Sequence, residues 1–171
     1  MKKIIIALLL VTFIATSAFA YHPSGWGIGI MARQQFEWDG FGRSWGAALS
    51  LKAPQFPIYW GISTVFQQDA FRLNITGDRY LIDELVLEDI NLGWNLGLGA
   101  YFGLQSASGW GAVNFGGRVP IGLYIFPVHF LELFANLVPS VGVGIYYGDF
   151  PDRVRIPVGD LGFELGLRFW L

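Results

Sequence analysis

The 171-residue sequence contains no cysteine and only two histidines, His22 and His129. Without cysteine there is no disulfide, no thiol nucleophile and no site for lipid acylation. The two histidines are far apart in sequence and neither is near a serine, so they suggest neither a metal site nor a hydrolase triad. We interpret both as solvated or headgroup-level side chains, and we predict a protein that is not an enzyme and has no cofactor and no metal.

The N-terminus has the composition of a secretory signal. Lys2 and Lys3 precede an apolar run from Ile4 to Ile14, and Ala18-Phe19-Ala20 supplies the small residues that a signal peptidase recognises. We therefore predict a cleaved signal peptide at 1–20 and a single mature domain at 21–171. This domain organisation implies export through the inner membrane of a diderm bacterium.

Charge is scarce throughout the chain, at 14% of residues. Without Lys2 and Lys3, nine basic residues face thirteen acidic ones, a net charge of −4 with no basic cluster. This charge argues against nucleic acid as a partner, and we predict none. Aromatic residues reach 17% and glycines number 23, a combination typical of a membrane barrel wall.

A bundle of membrane helices is the first alternative, because the stretch 90–117 has no charged side chain and is long enough to span a bilayer. Its eight glycines argue against a helix, since each interior glycine costs about 1 kcal/mol relative to alanine. The same stretch alternates with period two from Leu92 to Phe102, which favours a strand.

The last eleven residues alternate strictly, with large apolar side chains at every odd position from Leu161 to Leu171. Similar alternation elsewhere predicts an all-β protein, an eight-stranded antiparallel up-and-down transmembrane β-barrel. The apolar face of each strand is expected to contact lipid, and Pro120 predicts a bulge or gap in the sixth strand. The predicted strands are Gly25–Arg33, Ser44–Lys52, Ile58–Phe66, Phe71–Leu81, Leu92–Gly103, Phe115–Ile125, Leu131–Val143 and Leu161–Leu171.

An even number of strands places both chain ends on the periplasmic side. The surface loops are then expected at 34–43, 67–70, 104–114 and 144–160, and the periplasmic turns at 53–57, 82–91 and 126–130. The acidic 82–91 connection, expected to be solvated, is long for a periplasmic turn. The exact end of the fourth strand and the side on which this connection lies are left open, because a shifted strand count reverses the assignment.

Four segments carry a family resemblance: TGDRYLID (76–83), GGRVPIGL (116–123), LELFANLVPSVGV (131–143) and GLRFWL (166–171). With them the chain resembles the small spirochaetal outer-membrane β-barrel proteins of unknown function, which are similar in architecture to OmpX and the OmpA membrane domain. The resemblance spans most of the mature chain and its motifs are structural. It implies an outer-membrane barrel with surface loops and, for some relatives, adhesion or binding of host factors.

Charged residues on the inward faces must find partners, because the lumen of an eight-stranded barrel is only wide enough to be filled by side chains. We predict an ion-pair network that closes the lumen, with Arg118 and Arg168 against Glu132 and Glu164. The alternative is a narrow pore whose salt bridges rearrange. The predicted lumen network consists of Lys52, Arg72, Asp78, Arg118, Glu132, Glu164 and Arg168.

Outward aromatic residues are expected to form interfacial belts, a more frequent role in membrane barrels than that of a carbohydrate platform. The belt residues are Trp26, Trp45, Trp60, Trp94 and Phe169. The alternating C-terminal residues Leu165, Leu167, Phe169 and Leu171 are typical of the signal read by the barrel-insertion machinery.

These predictions lead to a non-enzymatic integral outer-membrane protein with a structural or surface-binding, adhesin-like role. Its expected partners are the lipid bilayer, the insertion machinery and an extracellular or host ligand at the loops. The alternatives are a narrow gated channel for ions or small solutes and, third, a soluble lipocalin-like barrel with the two faces reversed. The sequence does not identify the loop ligand, the oligomeric state or whether the lumen conducts.

Overall fold

The computed structural model describes residues 21–37, 43–67, 70–149 and 153–171, so the predicted signal peptide lies outside the described residues. Within these ranges the chain forms nine antiparallel strands. Their bounds are β1 Gly27–Glu37, β2 Arg43–Lys52, β3 Tyr59–Gln67, β4 Ala70–Leu87, β5 Leu92–Ala107, β6 Trp110–Arg118, β7 Ile121–Val128, β8 Leu131–Gly148 and β9 Val154–Trp170.

The nine strands occupy eight positions in a closed ring. β6 and β7 lie end to end between β5 and β8, and each pairs with both neighbours. The interruption falls at Val119-Pro120, which confirms the predicted break, because proline has no N–H to give to the ladder. The first and last strands pair from Gly27 with Trp170 to Glu37 with Asp160, so the predicted eight-stranded antiparallel up-and-down architecture is confirmed.

The strands are staggered around the ring. Following paired residues from Gly27 through every strand returns to β1 at Glu37, a displacement of ten residues. A stagger of this size tilts the strands by roughly 40° from the barrel axis, within the range of closed eight-stranded barrels. The lumen that results is narrow enough for side chains to fill it.

The two ends of the barrel differ in their connections. Residues 21–26, Leu171 and the connections 53–58, 88–91 and 129–130 lie at one end, which we call the terminal end. The other end, which we call the loop end, is where β1, β3, β5 and β8 end and where β2, β4, β6 and β9 begin. Between these strand ends, residues 38–42, 68–69 and 150–152 fall outside the described residues.

Several predicted connections are shorter than expected. The predicted loops 104–114 and 144–160 are wrong in extent, because β5 continues to Ala107, β6 begins at Trp110, β8 continues to Gly148 and β9 begins at Val154. Only Ser108 and Gly109 join β5 to β6, and the positive φ of 83° at Gly109 suits a tight turn. The glycine and serine content of this region marks strand ends rather than one long loop.

The acidic connection predicted at 82–91 is also wrong in extent, because β4 runs to Leu87. One 3-10 turn, Glu88–Ile90, and the left-handed Asn91 (φ 50°) complete the connection to β5. No helix within the described ranges is long and apolar enough to cross a membrane.

Candidate functional site

The lumen is polar, and the outer wall is apolar. Ile30 on the outer face of β1 is 59% exposed, whereas Arg118 on the inner face of β6 is 1% exposed. Glu132, Glu164 and Arg168 are similarly buried. Charges at such depth are tolerated only when they are paired and hydrogen-bonded, so the arrangement of their partners defines the candidate site.

Six buried side chains at the terminal end form what we call the terminal cluster. Arg168 of β9 donates from one nitrogen to both oxygens of Glu132 on β8, at 2.8 and 2.6 Å. Trp170 donates to the same carboxylate at 2.8 Å. The cluster consists of His22, Asp83, Tyr124, Glu132, Arg168 and Trp170.

A β-bulge brings Asp83 into this cluster. Tyr80 pairs with Gly97 and Ile82 pairs with Leu96, so β4 has one extra residue at Leu81. The extra residue reverses the alternation of faces, and Asp83 therefore points inward. The expectation that this acidic region is solvated is wrong for Asp83, which accepts a hydrogen bond of 2.6 Å from the Tyr124 hydroxyl.

Gly93 gives the Tyr124 ring its space. The two residues are cross-strand partners on β5 and β7, and a Cβ added at Gly93 would collide with the tyrosine ring and hydroxyl. A small residue opposite a large ring lets the ring lie against the wall of the barrel. Because Gly93 has no side chain, the Tyr124 ring can take the position in which its hydroxyl reaches Asp83.

The interpretation of His22 as a solvated or headgroup-level histidine is wrong. His22 is only 7% exposed, and its two ring nitrogens contact Asp83 (Nδ1 to Oδ2, 2.8 Å) and Glu132 (Nε2 to Oε1, 3.1 Å). Sequence reasoning missed it because His22 precedes β1, where no strand alternation assigns a face. His129, by contrast, lies in the exposed turn between β7 and β8.

The ionisation of His22 depends on the balance between its burial and its carboxylate neighbours. His22 lies before the first strand, and burial alone lowers the pKa of its imidazole. The carboxylates of Glu132 and Asp83 outweigh the burial, so the pKa of His22 is raised above its ordinary value. The charged imidazolium is therefore favoured in the folded barrel.

Aromatic rings surround the Arg168 guanidinium. Its carbon lies 4.8 Å from the ring centre of Tyr59 and 4.7 Å from that of Phe134. Ser50 accepts hydrogen bonds from Nε and Nη2 of Arg168, at 3.2 and 2.9 Å. Cation–π contacts stabilise a desolvated guanidinium, so these rings stabilise the buried charge of Arg168.

A second group of charges, which we call the central cluster, lies nearer the middle of the barrel and consists of Arg33, Asp78, Arg118 and Glu164. Arg118 donates to Glu164 at 2.8 Å, and its Nε lies 3.0 Å from Asp78 Oδ1 without hydrogen-bonding geometry. Arg33 Nε approaches Glu164 at 3.5 Å. Arg33 was not predicted, although the inward glycines at positions 25, 27 and 29 of the sequence place it on the same face.

The predicted lumen residues are thus divided between two clusters. The pairs Arg118–Glu164 and Arg168–Glu132 are in contact, and Asp78 joins the first pair. Lys52 donates instead to the backbone carbonyl of Ala53 at 2.9 Å, and Arg72 donates to Gln105 at 3.0 Å. Neither of these two hydrogen bonds joins Lys52 or Arg72 to a residue of the two clusters.

The predicted belt aromatics all lie on the outer wall. Trp26, Trp60, Trp94 and Phe169 are near the terminal end, and Trp45 is near the loop end. The C-terminal residues Leu165, Leu167, Phe169 and Leu171 also face outward on or beside β9. Both sets are positioned to contact lipid, and their interfacial and insertion roles stay predictions.

The arrangement offers little for catalysis or metal binding. Among the described residues, no group of three or more His, Cys, Asp or Glu side chains is suitably arranged to hold a metal ion. In the terminal cluster the two ring nitrogens of His22 face different carboxylates, so the three side chains do not converge on one point. What the cluster does chemically is pair charges.

An apolar groove of about 880 Å³ crosses the wall over β1, β2 and β9. Ala32 and Ala47 line its floor, and Ile30, Leu49 and Leu167 are among the larger side chains around it. Because its lining is almost wholly apolar, the groove offers nothing for a polar ligand to bind.

Comparison with known proteins shows the fold. No family model and no curated protein matches the chain. Among solved structures, the Neisserial surface protein A (NspA) is 10% identical, with a TM-score of 0.51 over 87% of this chain and 98% of that one. The N-terminal β-barrel domain of Pseudomonas aeruginosa OprF is 11% identical, with a TM-score of 0.47 over 84% and 97%. The likeness to NspA, together with the closed ring of strands, shows that the chain has the fold of an eight-stranded transmembrane β-barrel.

Proposed function

We propose that this protein is an integral outer-membrane barrel without enzymatic activity, whose lumen is closed by ion pairs and whose loops have a structural or surface-binding, adhesin-like role. One observation carries the proposal: large apolar residues cover the outer wall while arginines and carboxylates are buried inside. A soluble barrel needs the opposite arrangement, because its apolar residues must leave water. The membrane assignment therefore rests on the direction in which side chains point.

Ring closure supports the same assignment. Hydrocarbon offers no hydrogen-bonding partner, so an open strand edge in a bilayer costs several kcal/mol for each unpaired group. The continuous pairing of β1 with β9 removes that edge. In our proposal the terminal end faces the periplasm and the loop end faces the cell exterior.

The surface-binding role is supported by the shape of the loop end. β8 and β9 remain paired up to Ile145 and Val154, whereas the pairing of β9 with β1 ends at Asp160. The described part of β9 therefore extends beyond its last contact with β1. Ile156 in this extension is 70% exposed, an apolar side chain that a binding partner would cover.

A narrow channel is the second candidate. The central cluster favours it, because Arg118 Nε and Nη1 and Asn136 Oδ1 are buried without a hydrogen-bond partner among the described residues. Incompletely bonded polar groups rearrange more readily than bonded ones. Conduction along the lumen would require these groups to move aside.

The membrane proposal is tested on the full chain expressed with its own leader in a diderm host. We expect the protein in the outer-membrane fraction, an N-terminus at Tyr21, and faster migration of the unboiled than of the boiled sample on SDS gels. Recovery in the soluble periplasm without a heat-dependent shift would exclude the proposal. Planar-bilayer recordings then separate the two candidates, because a closed lumen gives no steady conductance.

A further inference from the structure

Residues 21–26 do not extend away from the barrel but fold across its terminal end. Trp26 and Leu171 exchange two backbone hydrogen bonds of 3.0 and 2.8 Å, and the Tyr21 hydroxyl donates to the Asn91 side chain at 3.0 Å. Between these attachments His22 enters the lumen, where its backbone N–H also donates to Asp83 at 3.1 Å. The segment is therefore fixed on both sides of the histidine.

The cavity that receives the imidazole is an aromatic cage. The ring centre of His22 lies 4.2 Å from that of Tyr124 and between 5.5 and 5.9 Å from those of four further rings. Cages of this kind bind organic cations, because the faces of aromatic rings carry negative potential. The five rings belong to four strands and are Tyr59, Tyr80, Tyr124, Phe126 and Trp170.

The hydrogen bonds of the cage require two N–H donors on its occupant. A carboxylate stands at each ring nitrogen of His22, Asp83 at Nδ1 and Glu132 at Nε2. A neutral imidazole has one N–H and would leave one carboxylate facing a lone pair, whereas the imidazolium donates to both. The geometry therefore selects the charged ring.

The fixed charges of the cage are also incomplete without a cation. Asp83 and Glu132 contribute two negative charges, and Arg168 contributes one positive charge. A monocation in the cage makes the cluster neutral, which a buried site requires. The titratable and charged groups that face His22 are Asp83 and Tyr80 of β4, Tyr59 of β3, Tyr124 of β7, Glu132 of β8 and Arg168 of β9.

We infer that the terminal end of the lumen is a binding site for a small planar organic cation of the imidazolium type, and that His22 is its tethered occupant, closing the barrel by intramolecular binding. The walls of the cage come from β3, β4, β7, β8 and β9 and do not depend on the N-terminal segment. The empty site in a variant without the imidazole is therefore expected to accept a free cation. The inference rests on the barrel fold and not on the proposed role of the loops.

The direct test is chemical rescue of His22→Ala in the full-length barrel in detergent at pH 6. We expect its melting temperature to fall by about 5–10 °C, because two buried carboxylates lose a shared partner. Added imidazole should restore about half of this loss and saturate with a Kd of about 1 mM, a realistic affinity for a five-atom ligand. Wild-type protein, whose site is filled, should show no saturable shift.

Two controls test whether the rescue by imidazole is specific for a cation and for the His22 site. 1,2,4-Triazole has the size of imidazole but stays neutral at pH 6, so it should not rescue His22→Ala. His129→Ala removes the exposed histidine and should neither lose stability nor respond to imidazole. Equal rescue by triazole, or no saturable binding of imidazole to folded His22→Ala, would overturn the inference. If His22→Ala keeps the heat-dependent gel shift, it still folds as a barrel. A failure of imidazole to bind would then count against the cation site and not against the barrel proposal.

A measurement on the wild-type protein covers the case in which His22→Ala does not fold. Nitrogen NMR of the histidine side chains reports whether each ring nitrogen carries a proton. At pH 7 we expect both ring nitrogens of His22 to carry a proton. A neutral His22 with a single protonated nitrogen at pH 7 would contradict the cation site.

Discussion

The terminal and central clusters bury carboxylates and arginines in the same lumen, but they differ in how completely their polar atoms are bonded. In the terminal cluster every carboxylate oxygen has a donor. In the central cluster Asp78 Oδ1, Arg33 Nε and two nitrogens of Arg118 have no hydrogen-bond partner among the described residues. Buried polar networks stabilise a protein only when they are complete, so the terminal cluster should contribute more to stability.

The difference has a structural origin. The terminal cluster combines strand residues with a side chain from outside the strands, and the bulge at Leu81 adds Asp83 from an altered register. The central cluster is built from β1, β4, β6 and β9 in regular register, where side-chain positions are fixed by the alternation of the strands. Irregular backbone thus allows the fuller set of hydrogen bonds at the terminal end.

The largest expected effect comes from removing the carboxylate at the centre of the terminal cluster. Glu132→Ala leaves Arg168 buried without its counter-ion and should lower the free energy of unfolding by about 3–5 kcal/mol, measured by denaturant titration in lipid vesicles. Glu164→Ala should cost less, about 1–3 kcal/mol, because Asp78 remains near Arg118. Exposed Glu84→Ala serves as the control. A larger loss for Glu164→Ala than for Glu132→Ala would reverse our ranking of the clusters.

Gly93, the cross-strand partner of Tyr124, offers a second test of the terminal cluster. Gly93→Ala places a methyl group against the tyrosine ring and should destabilise the barrel by about 1–3 kcal/mol, since the ring cannot retreat without losing Asp83. Gly117→Ala on the exposed face, where a Cβ meets only one atom at 3.9 Å, is the matched control. Equal unfolding free energies for the two variants would show that the contact between Gly93 and Tyr124 is unimportant.

The sequence predicts the regular part of this lumen well and the irregular part poorly. Period-two alternation places Arg118, Glu132, Glu164 and Arg168 on the inner face, and it predicts the break at Pro120. It fails for Asp83, because a single extra residue in β4 reverses the faces, and bulges have no clear sequence signature. It fails for His22 because the partners of a segment outside the strands are set by long-range contacts.

The extent of the strands was underestimated for a related reason. The Gly and Ser residues from Gln105 to Gly111 are typical of loops, yet Ser106 and Gly111 pair with each other across a hairpin whose turn is only Ser108 and Gly109. Whether a glycine-rich segment remains a strand depends on the adjacent strand, which local sequence does not contain. Long loops at 104–114 and 144–160 were therefore predicted where the structure has paired hairpins.

The pH dependence of stability should distinguish the terminal cluster from the rest of the barrel. The pKa of His22 is raised in the folded protein above the ordinary value of 6.5, so folding is favoured by proton binding. The stabilising contribution is complete below pH 6.5 and is lost as pH rises through the folded-state pKa. We expect the stability difference between wild type and His22→Gln to shrink over that interval, in denaturant titrations at several pH values. If the stability difference between wild type and His22→Gln grew with pH, the pKa of His22 would not be raised in the folded protein.

The smallest effect is expected at Lys52, a lumen residue that belongs to neither cluster. Lys52→Met removes a hydrogen bond to a backbone carbonyl and a positive charge at the same end of the barrel as Arg168, so the free energy of unfolding should change by about 1 kcal/mol or less. Arg168→Met in the same assay is the contrasting variant, because it removes the arginine that pairs with buried Glu132. A loss at Lys52 as large as that at Arg168 would place Lys52 inside the terminal cluster.

The central claim is that apolar side chains face lipid while charged side chains face the lumen, and β9 offers the most direct test. Because the chain has no cysteine, single cysteines can be placed at successive positions from Gly162 to Phe169 and labelled with nitroxide in vesicles. We predict that labels at 163, 165, 167 and 169 are accessible to lipid-soluble oxygen and those between them are not. The opposite phase, or no alternation, would contradict the account.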